Sequence, residues 1–402
     1  MVIDSDIQSA LEFKGFKRSP LQLYIHIPFC IHKCHYCDFN SHVRDEPPWH
    51  AYQQALICEL EYWSQQDPFH GRSLHSIFFG GGTPSLAPAS LIADVLAYAK
   101  SLFGFEENIE ISLEANPGTV DMQAFQGFYD AGINRLSIGA QSLDHKELQW
   151  LERIHNNDDV YKAIAAARSA GFDNINLDLM YGLPDQTVQQ WQQTLAAALS
   201  LNPEHLSCYQ LTVEPHTKLA VRHASSPYAL PDDAASLQFF HQTRQDLSAA
   251  AYTAYEISNF SKAGKYCRHN DGYWLYHDYI GIGAGASGKW DKHDGGTYRY
   301  SNHRMPEKYI QKSTAGWHAI SSDESLNQQQ AAAEAVWVGL RRKEGMDDDW
   351  FSQRFDRPIA SYFQGELQPW LDDEKLIWND RRLQLSGSGI VLADAIAGSV
   401  IQ

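Results

Sequence analysis

The chain has 402 residues, 44% of them hydrophobic, and a formal net charge of −17. That is the composition of a folded protein long enough for one large domain and a smaller one. The excess of negative charge argues against nucleic acid as a main partner and, on average, against an anionic membrane surface.

The first 19 residues are mixed and polar and lack the basic start and apolar centre of a secretory signal. No apolar run reaches the roughly 18–20 residues of a membrane span. A cytoplasmic location is therefore expected, where thiols stay reduced, with peripheral membrane association left open. Short β-rich runs then alternate with amphipathic ones. Strands are predicted over 21–27, 75–79, 109–114, 134–140, 174–180 and 205–211, and helices over 49–66, 89–103, 122–132, 159–172 and 187–200. Gly132 and Gly171 suit the left-handed position that ends a helix. A βα unit repeated about six times predicts an α/β fold, a parallel sheet with helices outside. Six units fall short of a full barrel, so a partial (β/α)6 TIM-like barrel over 20–255 is expected, with an open doubly wound sheet as the alternative. Past 255 the rhythm changes. "YWLYHDYIGIGAGASGKW" is aromatic and glycine-rich, a helical stretch covers 327–345, and the end reads as a hairpin turning at Asn379-Asp380 before a terminal helix. A smaller α+β, winged-helix-like domain is expected over 256–402.

The chemistry concentrates at the ends of the predicted strands. Directly after the first one, "YIHIPFCIHKCHYCDFN" carries Cys30, Cys34 and Cys37, whereas Cys58, Cys208 and Cys267 are scattered. Three clustered thiols suit zinc or an iron–sulfur cluster. Structural zinc closes a shell of four, and a zinc-stabilised binding protein would need His32, His35 or His42 as the fourth ligand. A 4Fe–4S cube on three cysteines leaves one iron open to a substrate. "FFGGGTPS" follows the second strand with glycines that allow close backbone approach to a ligand. Glu114, Gln141, Arg153 and Asp178 bring polar groups to the same end of later strands. "GIGAGASG" is followed by a stretch that reads as a hairpin and not as the helix a dinucleotide site needs.

The C-x3-C-x2-C loop resembles the signature of the radical S-adenosylmethionine (SAM) superfamily. That resemblance implies a 4Fe–4S cluster whose open iron is chelated by SAM, and reductive cleavage of SAM to a 5′-deoxyadenosyl radical. Over about residues 20–395 the chain resembles the oxygen-independent coproporphyrinogen III oxidases and the related HemW-type haem chaperones. Within that family the residues matching Tyr24, Gly81, Gly82, Thr83, Glu114, Gln141, Arg153 and Asp178 bind SAM, and Tyr36 stands beside the adenine. A glycine-rich loop like 281–288 lines the SAM site.

Two features separate the branches. The oxidases resemble C-x3-C-x2-C-x-C, and Phe39 occupies the position of the extra cysteine. His269-Asn270-x-x-Tyr273-Trp274 resembles the H-N-x-x-Y-W motif of the haem chaperones, which implies His269 as haem ligand with Cys267 as competitor. The implied function is to bind haem and deliver it to haem-requiring proteins such as membrane respiratory enzymes. SAM cleavage is expected without coproporphyrinogen decarboxylation; a true oxidase is the runner-up. The sequence names neither the reductant nor the haem recipient, and it leaves a homodimer open.

Overall fold

A computed structural model of the chain describes residues 18–316 and 318–401. Most of the N-terminal extension expected over 1–19 lies outside the described residues.

Six strands and five crossover helices follow one another as the sequence rhythm requires. They are β1 (Leu21–Ile27), α1 (Trp49–Ser64), β2 (Leu74–Gly81), α2 (Ala89–Phe103), β3 (Phe105–Ala115), α3 (Met122–Asp130), β4 (Arg135–Gln141), α4 (Asn157–Ser169), β5 (Ile175–Tyr181), α5 (Val188–Ser200) and β6 (His205–Gln210). All neighbouring pairs from β1 to β6 are parallel. The strands carry an apolar face against the helices; Leu21, Leu23, Ile25 and Ile27 of β1 are buried. The helices bury one stripe. In α2, Leu91, Ile92, Val95, Leu96 and Ala99 turn inwards at three- and four-residue spacing. Capping boxes start two of them, Asn156 with Asp159 at α4 and Thr187 with Gln190 at α5. The partial barrel is thus present, and the doubly wound alternative is not.

The sheet does not stop at residue 255. After α6 (Asp233–Ala249) and α7 (Arg268–Trp274), the chain returns to the far side of β1. There β7 (Asp278–Ile282) pairs with β1 in parallel, Leu21 opposite Asp278 and Ile25 opposite Ile282. Three antiparallel strands extend it, β8 (Ser287–Asp291), β9 (Thr297–Asn302) and β10 (Ile320–Leu326), with α8 (Pro306–Thr314) before the last. The result is one 12-stranded sheet. The boundary expected at 255/256 therefore falls inside the sheet. Its cause is the backbone of β7, which supplies the hydrogen-bonding edge that β1 would otherwise lack.

A second apolar core begins near Leu326 and gathers Ala331, Val336, Phe351, Phe363 and Leu383. It holds α9 (Gln328–Gly339) against a small sheet of Met346–Asp347, Arg382–Leu385 and Leu376–Asn379. The hairpin turns at Asp380-Arg381, one residue beyond the expected pair; both have positive φ, 45° and 62°, as a two-residue I′ turn demands.

Candidate functional site

The three cysteines sit on the loop that leaves β1. Cys30 ends a two-residue strand, Phe29–Cys30, that is held by His42–Val43. The Thr83 hydroxyl donates to Cys30 Sγ at 3.4 Å, and Arg153 Nη1 lies 3.7 Å from Cys34 Sγ. Burial pushes the thiols of Cys30 and Cys37 up. Adjacent thiolates need a cationic centre to hold their charge, which a metal cluster provides. Among the described residues, no three His, Cys, Asp or Glu side chains are arranged to hold a single metal ion. Three thiols are one short of a closed zinc shell, whereas on a cubane they leave one iron open, so the donor set fits a cluster. Of the candidate fourth zinc ligands, His42 Nε2 bonds the Arg304 carbonyl at 3.2 Å, and His32 and His35 lie 3.6 and 3.8 Å from the Glu152 carboxylate.

A cavity of about 430 Å³ opens above these thiols. Beside the cysteines it is lined by Tyr36, Gly81, Gly82 and Thr83, and across the barrel mouth by Glu114, Gln141, Arg153 and Asp178. Each is aimed by local geometry. Gly81 has φ +123°, and a Cβ there would meet the His26 ring at 2.7 Å. At Gly82 a Cβ would lie 2.8 Å from the Phe29 carbonyl oxygen and 2.9 Å from Cys30 Sγ. Gln141 has φ +67° at a register shift between β4 and β5, which turns its side chain over the mouth. Arg153 is fixed by donating from Nη2 to the Gly139 carbonyl at 2.7 Å. Glu114 accepts the Gly81 N–H at 3.0 Å, and burial, aided by Asp178, pushes its carboxyl up to about 8. Asp178 accepts from Asn176 at 2.7 Å and from Ser137 at 3.2 Å. The cavity therefore offers open thiols, exposed backbone and convergent carboxylates, a donor set suited to a cluster and a zwitterionic, ribose-bearing cosubstrate.

The remaining expected residues stand elsewhere. Tyr24 lines a neighbouring cavity of about 770 Å³, not the smaller one. Its hydroxyl meets His26 Nδ1 at 2.9 Å, and His26 Nε2 meets the Asn40 carbonyl at 2.8 Å. A carbonyl only accepts, so Nε2 carries the proton and Tyr24 donates to Nδ1. Burial holds this imidazole down to about 4, hence neutral. The pairing of Tyr24 with His26 was legible in β1, where residues two apart share a face. The glycine-rich turn after β7 borders the larger cavity through Gly285 and does not line the smaller one. Glu152 was missed altogether. Left-handed itself, with φ +53°, it holds Arg222 at 2.7 Å and reaches His32 and His35 of the cysteine loop at 3.6 and 3.8 Å.

The larger cavity shares Phe39, Gly81 and Glu114 with the smaller one, so the two adjoin. Its far wall is aromatic, with Tyr273, Trp274, Tyr276 and Tyr279. His269 does not reach it. That residue is 1% exposed and stacks on Phe78 at 5.3 Å, with Nδ1 bonded to Ser76 Oγ and Nε2 to the Tyr273 hydroxyl, both at 2.9 Å. Cys267 is fully buried, bonds Glu110 at 3.5 Å, and is pushed up to about 12, so it offers no thiolate.

The model of the radical SAM superfamily matches residues 24–198, and that of the HemN C-terminal domain residues 326–392. The haem chaperone HemW of Haemophilus influenzae is 46% identical over 297 residues, 73% of this chain and 76% of that protein. HemW of Lactococcus lactis is 31% identical over 380 residues, 94% of this chain and 97% of that protein. Among solved structures, the coproporphyrinogen III oxidase HemN of Escherichia coli, a radical SAM enzyme, superposes with a TM-score of 0.81 over 100% of this chain and 94% of its own, at 23% identity. The chain belongs to the radical SAM superfamily and, within it, to the family of the HemW haem chaperones.

Proposed function

We propose that the protein binds haem in the larger cavity and passes it to haem-requiring proteins, with a 4Fe–4S cluster on Cys30, Cys34 and Cys37 and SAM in the smaller cavity. The observation that carries this reading is the adjacency of the two cavities through Phe39, Gly81 and Glu114. A space of about 770 Å³ with an aromatic wall suits a flat, largely apolar macrocycle. When bound, the cluster and SAM supply one-electron reduction and a site whose occupancy the neighbouring cavity can sense. The chain's own residues do the positioning. Thr83 and Arg153 brace the thiols, Glu114 and Asp178 face the cosubstrate, and Phe39 forms the partition. Phe39 also stands where the oxidases resemble a further cysteine, which favours transfer over decarboxylation. Among the described residues no helix is long and apolar enough to cross a membrane, and we assign delivery to the cytoplasm.

The test is anaerobic. Reconstituted protein is titrated with haem, then incubated with SAM, dithionite and coproporphyrinogen III. Saturable haem binding, with 5′-deoxyadenosine formed but no protoporphyrinogen IX, is the expected result. Conversion of the porphyrinogen would replace this reading with the oxidase, and a colourless protein holding one zinc would replace it with a zinc-stabilised binding protein.

A further inference from the structure

A buried arginine is almost always paired, because its five N–H donors and its charge are costly to leave without partners. Arg135, the first residue of β4, departs from that rule. It is 2% exposed, and among the described residues its guanidinium forms no hydrogen bond and no ion pair. Arg153, Arg244 and Arg341 also leave Nε unpaired, but each bonds through a terminal nitrogen, to the Gly139 carbonyl, the Ile257 carbonyl and Asp394. Arg135 lines a third cavity, a chamber of about 240 Å³ inside the barrel. Its terminal nitrogens, unlike Nε, are not sealed by packing, so they open on that chamber. The chamber adjoins the larger cavity through Tyr24, Glu114 and Tyr273, and the smaller one through Ser137, Asp178 and Tyr209. We infer that this chamber is a carboxylate-binding subsite, in which Arg135 and Asn270 receive a propionate of the haem held in the larger cavity. This rests on the haem reading above.

The chamber walls favour an acid. Most of their polar groups satisfy one another. Asn176 donates to Ser137 and Asp178, each at 2.7 Å, and accepts from Ser207 at 3.1 Å. The Tyr24 and Tyr273 hydroxyls are bonded to His26 and His269. Asn270 lines the same chamber, and its side-chain amide has no partner among the described residues. Arg135 and Asn270 therefore present N–H donors that no carboxylate answers. Glu110 and Asp178 act on the guanidinium only through space. Glu110 accepts the backbone N–H groups of Arg268 and His269, both at 3.0 Å, and Asp178 is held by Asn176 and Ser137. Asp178 opposes an incoming anion, but Glu114 does not: its carboxyl, pushed up to about 8 by burial and by Asp178, is mostly neutral at pH 7. The volume takes a short acid arm with a few waters and is small for the macrocycle itself. Haem is the better match of the two possible sources of a carboxylate. The smaller cavity has its own cation in Arg153. In the larger one Lys289 is paired with Asp278 and Asp291, and Arg299 with Glu324 and Glu334, while Arg304 stands exposed to solvent that screens it.

The test titrates the full reconstituted chain with haem and with haem dimethyl ester, which keeps the macrocycle and lacks the carboxylates. Wild type, Arg135→Met, Arg135→Lys and Asn270→Ala are compared, and thermal melts verify that each is folded. The wild type is expected to bind haem about tenfold or more tightly than the ester. Arg135→Met should bind both at the affinity of the ester, Arg135→Lys should regain part of the preference, and Asn270→Ala should lose part of it. Calorimetric titration with SAM should give closely similar affinities in all four proteins. If Arg135→Met does not fold, the wild type and Asn270→Ala decide. Equal affinity for haem and ester in the wild type, or an undiminished preference in every folded variant, would overturn the subsite and leave haem binding intact. Weakened SAM binding in Arg135→Met with the preference for haem unchanged would also overturn it, and would give the chamber to the carboxylate of the cosubstrate. Failure of the wild type to bind either macrocycle would overturn the subsite together with the reading it rests on.

Discussion

Replacing Glu59 by glutamine probes the joint that holds the wall of the larger cavity to the barrel. Glu59 lies on α1 and is 3% exposed. One carboxylate oxygen accepts from Asn302 at 2.7 Å and Trp63 at 3.3 Å, the other from the Gly283 N–H at 3.0 Å and the Tyr309 hydroxyl at 2.7 Å. A single side chain thus ties the turn after β7, the end of β9 and α8 to α1. Burial nevertheless pushes the carboxyl up from 4.5 to about 7. A folded-state value above the unfolded one means that folding favours the protonated form. The corresponding stability is fully present below about pH 4.5 and is lost as pH rises through 7. A rise of this size corresponds to about 3 kcal/mol. Glutamine cannot titrate, and its amide group turns donors towards donors at a cost of about 1–3 kcal/mol. The wild type should therefore be the more stable at pH 5, and its advantage should shrink by about 3 kcal/mol by pH 8. For a chain of this length that is roughly 3–6 °C in the difference between melting temperatures. Melting curves of both proteins from pH 5 to 8 measure it directly. Parallel pH profiles would refute the reasoning, because they would mean that the four donors keep Glu59 ionised throughout.

Alanine at Cys30, Cys34 or Cys37 should cut the iron retained after anaerobic reconstitution from about four atoms per chain to below one, measured by iron and sulfide analysis; unchanged iron in any one variant would remove that residue from the ligand set. Gly82→Ala should lower the melting temperature and weaken SAM binding at least tenfold, because the added Cβ would press on the Phe29 carbonyl and Cys30 Sγ; melting curves and calorimetric titration with SAM decide it. Arg153→Met removes a buried cation 3.7 Å from Cys34 Sγ and should lower the cluster's reduction potential by on the order of tens of millivolts. A potentiometric titration that shows no fall would count against that placement of charge. Gly283→Ala, at φ +101° and with its Cβ 2.4 Å from the His26 carbonyl oxygen, should destabilise the fold by about 2–4 kcal/mol, read from denaturant melts.

Much of the barrel was legible because its signals are local. β1 and α2 run over the residues that their patterns predict, Leu21–Ile27 and Ala89–Phe103. β3 begins earlier than expected, at Phe105, because "FEEN" is largely exposed and carries no apolar alternation. The boundary near 255 misled because β7 is short, aromatic and glycine-rich, and only its pairing with β1, more than 250 residues earlier in the chain, makes it part of the same sheet. At the site, the cysteine spacing and the polar residue at each strand end were readable, since period-two alternation and the turn after each strand bring them to one face.

By itself the sequence determined a three-thiol loop at the mouth of a six-unit βα barrel, because cysteine spacing and strand rhythm are properties of a few consecutive residues. Only the tertiary structure decided what surrounds that loop: that Tyr24 faces the larger cavity, that Glu152 reaches His32 and His35 of the cysteine loop, and that both ring nitrogens of His269 are hydrogen-bonded. Whether an imidazole is available depends on its partners, and these come from distant parts of the chain. Ser76 closes Nδ1 of His269 from 193 residues away. Hydrogen bonding of buried groups is settled by packing between elements, and no local pattern encodes it.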